Sequence, residues 1–120
     1  MMSAYKILAL MFVASAAFGQ NVMQIKIVRG EIRRDLGDLA ANSNALRAAR
    51  AELATRQKEE LRVIKKSGAS RVNRAVARRA VLDKYAALWS AHRREAAARR
   101  RSLQEDIASK KAWIQKLRRP

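Results

Sequence analysis

The sequence predicts an all-α protein: a long antiparallel helical hairpin, similar to a coiled coil, that follows an apolar N-terminal segment. Three observations lead to this prediction. The chain has 120 residues with only four glycines and one proline, and that proline is the last residue. Apolar residues recur at seven-residue intervals in two long segments. A single break at residues 67–70 separates these segments.

Residues 1–19 form an apolar leader. The run from Ile7 to Phe18 is uncharged and apolar, and its length is typical of the core of a signal peptide. Small residues just before Gln20 would allow cleavage at that point. The uncharged stretch extends to Ile25, which approaches the roughly 20 residues that span a membrane. The leader is therefore expected to be a cleaved signal peptide for export to the periplasm or cell exterior, or a retained membrane anchor; targeting to an organelle is a further option.

Residues 20–30 are expected to be a short extended linker or strand. The segment Val22–Val28 is rich in β-branched residues, which favour strands. Gly30 follows it and interrupts the pattern.

Helix 1 is expected over residues 31–66 and helix 2 over residues 71–118. A stripe of large apolar residues runs along both helices, and we expect it to pack them together or to hold copies of the chain together. Its members are Ile32, Leu39, Leu46, Leu53, Leu82, Trp89, Leu103, Ile107, Ile114 and Leu117. Tyr85 and His92 lie on the same stripe and are expected to pack within it. A second, weaker seam on helix 1 is expected to begin at Leu36 and end at Ile64.

The turn at residues 67–70 sets the expected register of the hairpin. Gly68 suits the C-terminal cap of helix 1, and Ser70 suits the N-terminal cap of helix 2. Folding there places Leu46 opposite Trp89 and Leu39 opposite Ala96. Because both helices repeat by sevens, such agreement arises by chance about one time in seven. The alternative is one nearly continuous helix that dimerises and kinks at Gly68.

The chain is strongly basic. It carries 27 Lys and Arg against 10 Asp and Glu, a formal charge of +17, and such a field attracts anionic partners. The candidate residues for binding them are Lys65, Lys66, Arg71, Arg74, Arg78, Arg93, Arg94, Arg99, Arg100 and Arg101. The first five surround the turn, and the alternative there is a solvated tip partly neutralised by Glu59 and Glu60. Expected partners are an acidic protein, an anionic lipid or a nucleic-acid backbone, together with further copies of the chain or a larger assembly.

Catalytic equipment is not evident in the sequence. The chain has no cysteine, which excludes disulfides and thiol chemistry. It contains no nucleophile elbow, phosphate-binding loop, metal-binding motif or catalytic carboxylate pair. We therefore expect a protein that is not an enzyme and that uses no cofactor or metal.

The layout resembles that of the Skp/OmpH periplasmic chaperones. The matching parts are the leader Met1–Gly19, the segment Val22–Val28 as an early strand, and a basic hairpin with Lys65-Lys66-Ser67-Gly68 at its tip. The resemblance implies a trimeric holdase that grips unfolded clients.

The residues themselves favour a non-enzymatic, exported or membrane-tethered binding protein, acting as a scaffold, adaptor or chaperone for an acidic partner. The alternative is a structural protein that associates with nucleic acid without sequence specificity or is embedded in an assembly.

Overall fold

The computed structural model consists of two long helices joined by a short turn. It describes residues 4–119, with side chains from Gly19 onward. Helix α1 spans Ala4–Lys66 and helix α2 spans Arg71–Arg118, and the described residues contain no strand. The prediction of an all-α helical hairpin is thereby confirmed. The side chains of the leader up to Phe18 lie outside the described residues, so its role stays a prediction. Among the residues that the structure does describe, no helix has the length and apolar character needed to cross a membrane.

The extended segment expected at residues 20–30 is not present, because α1 continues without interruption through these residues. Preference for strand is weak unless a neighbouring strand supplies hydrogen bonds, and residues 4–119 offer none. Helix instead lets Val28 turn toward α2, where it is only 8% exposed. Packing thus overrides the β-branched composition.

The turn is capped by serines. The Ser67 backbone N–H and its hydroxyl both donate to the carbonyl oxygen of Ile64, at 3.1 and 2.7 Å. The Ser70 hydroxyl accepts a hydrogen bond from the Asn73 backbone N–H at 3.2 Å, which is the N-cap geometry expected of it. Gly68 does not adopt a positive φ. The left-handed glycine cap expected there is replaced by the Ser67 hydrogen bonds.

The described residues fall into two compact units. Unit 1 combines α1 up to Gly37 with α2 from Leu103 onward, and unit 2 comprises Asp38–Ser102, including the turn. Each unit pairs a segment of α1 with a segment of α2.

Unit 1 contains a buried ion pair within its apolar interface. Val28, Ile32, Ile107 and Ile114 are each at most 9% exposed, and so is Asp35. The Asp35 carboxylate accepts a hydrogen bond from the Lys110 ammonium at 2.7 Å, and the Glu31 carboxylate lies 3.8 Å from the same ammonium. The hydrogen bond with Asp35 raises the pKa of Lys110, against the lowering effect of desolvation.

Unit 2 has a thinner core with one polar contact between its helices. Leu53 is 9% exposed and Tyr85 is 5% exposed, and burial raises the pKa of the Tyr85 phenol. The Asn42 side-chain amide donates a hydrogen bond to the backbone carbonyl of Ala96 at 2.9 Å. Because that carbonyl belongs to α2, the bond fixes the position of one helix along the other.

The ten residues of the predicted stripe all lie at the helix interface. Ile32, Leu53, Ile107 and Ile114 are buried. The other members are half-buried: Leu39, Leu46, Leu82, Trp89, Leu103 and Leu117. None of the ten is mainly exposed to solvent.

The predicted second seam of α1 is wrong along most of its length. Leu36 is 51% exposed, and Ser43 and Arg50, which continue its heptad, are also exposed. The interface instead uses the positions just before them in sequence, namely Asp35, Asn42 and Ala49. A polar residue can occupy such a position when the other helix supplies a partner, as Lys110 and the Ala96 carbonyl do here.

The predicted register is wrong by about one helical turn. Ala96 meets Asn42 rather than Leu39, and Trp89 lines a groove with Leu53 rather than lying opposite Leu46. An apolar heptad pattern alone is satisfied by several offsets. The hydrogen bond from Asn42 to the Ala96 carbonyl marks the offset that the structure adopts.

Truncation of the buried seam tests this packing. Leu53→Ala removes most of a buried side chain and should lower the free energy of unfolding by about 2 to 3 kcal/mol. Leu36→Ala is the matched control, because Leu36 is half-exposed, and should change it by less than about 0.5 kcal/mol. Urea unfolding followed by circular dichroism measures both. Equal decreases in the free energy of unfolding for the two variants would contradict the assignment of Leu53 to the buried face of α1 and of Leu36 to its exposed face.

The Lys110–Asp35 pair predicts a pH dependence at the alkaline end. The pKa of Lys110 in the folded chain is raised above the ordinary lysine value of 10.5. The pair therefore stabilises the fold fully below that value, and its contribution is lost as the pH rises through the raised pKa. Melting temperatures of wild type and Lys110→Gln should differ by a constant amount from pH 7 to about pH 10 and converge as the pH rises through the raised pKa of Lys110. The exposed neighbour Lys111 provides the control variant Lys111→Gln. A difference in melting temperature between wild type and Lys110→Gln that persists at the highest pH would argue against the Lys110–Asp35 pair.

Candidate anion-binding groove

A basic groove lies beside the turn of unit 2, and we call it the tip groove. It has a volume of about 670 Å³. Its lining consists of six cationic and three apolar residues: Lys58, Leu61, Arg62, Ile64, Lys65, Arg71, Arg74, Ala75 and Arg78. No acidic residue is among them.

Helical periodicity positions these side chains on both walls. On α1, Lys58, Arg62 and Lys65 are spaced by four and three residues, and on α2 Arg71, Arg74 and Arg78 are spaced by three and four. Such spacings place side chains on one face of a helix. The groove therefore has a cationic rim on each helix.

Apolar residues lie between the two rims. Leu61 and Ile64 are half-buried, and Ala75 faces them from α2 as part of the same lining. These three residues form an apolar floor, which would favour a ligand that also carries apolar groups.

Nearby acids balance only part of the charge of the groove. Residues 61–82 contain seven Lys or Arg and no Asp or Glu. Moreover, α2 begins at Arg71 and has no acidic residue in its first turn, so a cation lies at the positive end of the helix dipole. An anion bound there would relieve both sources of repulsion.

The two acids nearest in sequence already have other partners. Glu59 accepts hydrogen bonds from Arg62 at 2.6 and 3.1 Å, and this contact lowers the pKa of Glu59. Glu60 accepts a hydrogen bond from Lys84 at 2.9 Å, which lowers the pKa of Glu60. The expectation of a partly neutralised tip therefore holds for one groove cation, Arg62, which pairs with Glu59, and not for the five residues predicted to bind anions. Within the described part of the chain, no carboxylate forms an ion pair with Lys65, Lys66, Arg71, Arg74 or Arg78.

Four of the five tip residues predicted from the sequence line the groove: Lys65, Arg71, Arg74 and Arg78. Lys66 is exposed and lies outside the lining. Lys58 and Arg62 belong to the groove but were not predicted. Their spacing from Lys65 is the signal that identifies them, because it continues one helix face back toward the N-terminus.

The other five residues predicted to bind anions, the second arginine cluster, do not share one groove. They are Arg93, Arg94, Arg99, Arg100 and Arg101. The Arg93 guanidinium lies 5.8 Å from the centre of the Trp89 ring, which also has Arg50 at 5.5 Å. Arg94 donates to the Ser90 hydroxyl at 3.3 Å, and Arg99 pairs with Glu95 at 2.9 Å.

The remaining two arginines of that cluster, Arg100 and Arg101, are exposed. Neither forms an ion pair with any other described residue. This cluster is thus divided between local contacts and free guanidiniums.

The aromatic residues and the histidine differ in their placement. Tyr85 and Trp89 pack at the interface as expected, but His92 is exposed. His92 borders a shallow groove with Asn42 and Glu95, so the expectation that it packs within the stripe is wrong.

The chain matches no family model, and comparisons with curated proteins and with solved structures give no match either. The candidate site is therefore defined by the geometry and charge of the described residues alone.

The crowding of cations in the tip groove has a measurable consequence for stability. A variant with Arg71→Gln, Arg74→Gln and Arg78→Gln should melt at a higher temperature than wild type at low ionic strength, because repulsion among like charges is removed. Raising NaCl from about 20 mM to about 300 mM should stabilise wild type more than the variant. Differential scanning calorimetry at the two salt concentrations measures this. If the variant instead melts at a lower temperature than wild type at low salt, these arginines make stabilising contacts.

Proposed function

We propose that this protein is a non-enzymatic helical-hairpin binding protein, a scaffold, adaptor or chaperone, that holds an acidic segment of another protein in the tip groove. The observation that carries the proposal is the lining of that groove. Six Lys or Arg side chains surround an apolar floor, with no acid among them. Lysine and arginine side chains bind carboxylates, and arginine does so with two parallel hydrogen bonds.

The apolar floor favours a protein segment over nucleic acid as the ligand. A nucleic-acid backbone would engage the cations only, through its phosphates. A segment that alternates carboxylates with leucine-like side chains would engage both the rim and the floor. Val63, Val72 and Val76 lie near the turn and are 59%, 73% and 65% exposed, which offers further apolar surface to such a partner.

The site of action and the assembly state belong to the same proposal. The apolar leader supports an exported or membrane-tethered protein. Association with further copies is supported by the thin interface, since six of the ten stripe residues stay half-buried and two long helices alone bury little apolar surface.

Fluorescence anisotropy with three labelled probes tests the proposal. The first is a helical peptide that presents Glu and Leu at three- and four-residue spacing; the second has the same charges with Ser in place of Leu; the third is a short DNA duplex. We expect the first peptide to bind at least about tenfold more tightly than the second, because only the first can cover the apolar floor.

Charge variants locate the binding site. The tip variant, with Arg71, Arg74 and Arg78 changed to Gln, should weaken binding of the Glu–Leu peptide at least about tenfold. A matched variant removes the same charge elsewhere, through Lys111→Gln, Lys116→Gln and Arg119→Gln, and should alter binding by less than about threefold. If the DNA duplex binds more tightly than either peptide, the nucleic-acid function is favoured instead. If both triple variants weaken the peptide equally, the groove is not the site.

A further inference from the structure

A second basic groove lies in unit 1, in the part of α1 that directly follows the leader. It has a volume of about 630 Å³. Its lining combines four cations with two apolar residues and a glycine: Val22, Ile25, Lys26, Arg29, Gly30, Arg33 and Arg118. We propose that this groove, the leader groove, binds the phosphate groups of an anionic phospholipid surface. The proposal is independent of the tip groove, which belongs to unit 2.

The cations of the leader groove are arranged to share one ligand. Lys26, Arg29 and Arg33 are spaced by three and four residues on α1, which places them on one helix face. Arg118 joins them from the last turn of α2. Cations from two helices thus converge on a space large enough for a phospholipid headgroup.

These cations have no acidic partner within the part of the chain whose side chains are described. None of Lys26, Arg29, Arg33 and Arg118 forms an ion pair among the residues that the structure describes. Glu31 and Asp35, which lie on the same stretch of α1, are directed to Lys110 instead. The positive charge of the groove is therefore available to a phosphate.

Large apolar side chains are exposed beside these cations. Val22, Met23 and Ile27 are 52%, 68% and 59% exposed. Apolar residues interleaved with Lys and Arg are typical of helices that lie at a membrane surface, where the apolar groups enter the interface and the cations meet phosphates.

The position of the groove along the chain favours lipid over a protein or nucleic acid. The apolar run Ile7–Phe18 precedes it within the same helix, since α1 begins at Ala4. From Phe18 to Val22 the helix rises about 6 Å. With the leader retained and embedded in lipid, the groove would lie at the depth of the headgroups, where basic residues bind anionic lipids.

Vesicle flotation with the full chain tests the proposal. The probes are vesicles of phosphatidylcholine alone and vesicles with about 30% phosphatidylglycerol at moderate salt. We expect wild type to bind the anionic vesicles at least about tenfold more tightly than the neutral ones. A variant with Lys26→Gln, Arg29→Gln and Arg33→Gln should lose most of this preference while keeping its binding to neutral vesicles through the leader.

A matched variant separates a specific groove from diffuse attraction. Arg47→Gln, Arg56→Gln and Arg79→Gln remove the same charge from exposed positions of unit 2 and should change the preference for anionic vesicles by less than about threefold. Circular dichroism confirms that both variants keep the helicity of wild type. Equal loss in the two variants, or a wild type that binds neutral and anionic vesicles alike, would overturn the proposal.

Discussion

Two polar contacts determine how the helices of this protein align, and the rest of the structure depends on them. In unit 1, Lys110 of α2 donates to the buried carboxylate of Asp35. In unit 2, Asn42 donates to the backbone carbonyl of Ala96. Asp35 and Asn42 occupy interface positions of α1 that an apolar residue would fill in an ordinary coiled coil. Polar residues at such positions reduce stability relative to apolar ones but favour one register, because a shifted α2 would leave Asp35 without Lys110.

Cations from both helices meet beside the turn of unit 2. Lys58, Arg62 and Lys65 of α1 line the same groove as Arg71, Arg74 and Arg78 of α2. The nearby acids compensate only one of these six cations: Glu59 pairs with Arg62, whereas Glu60 pairs with Lys84, which lies outside the groove lining. Strong like charge around an apolar floor is costly for the isolated chain and favourable for a bound acidic partner. Stability and binding therefore oppose each other at this groove.

Periodicity predicts the parts of the fold that depend on local pattern. The bounds of the break, the Ser70 cap and the ten-residue stripe follow from the seven-residue repeat and from helix-capping preferences. The polar interface positions of α1 do not follow from the repeat. Asp35 and Asn42 become interface residues only when Lys110 and the Ala96 carbonyl lie opposite them. The error in register has the same origin, because the apolar repeat alone is satisfied by several offsets.

The candidate site was predictable to a similar degree. Four of its six cations follow from the charge run at the turn, since helix spacing alone brings Arg71, Arg74 and Arg78 onto one face. The free charge of the groove could not be predicted, because it depends on which partners Glu59 and Glu60 choose in three dimensions. The division of the second arginine cluster likewise depends on the position of Trp89 at the interface.

The register of the hairpin is the central claim, and disulfide trapping measures it most directly because the chain has no cysteine of its own. Ala54 and Ala86 line one groove in the structure, whereas Ala49 lies opposite Ala86 in the register that the apolar heptads alone would favour. We expect rapid cross-linking under mild oxidation for Ala54→Cys with Ala86→Cys, and slow cross-linking for Ala49→Cys with Ala86→Cys, since a disulfide requires Cα atoms within about 7 Å. Faster cross-linking of the second pair would show that the apolar repeat, and not the polar contacts, sets the alignment.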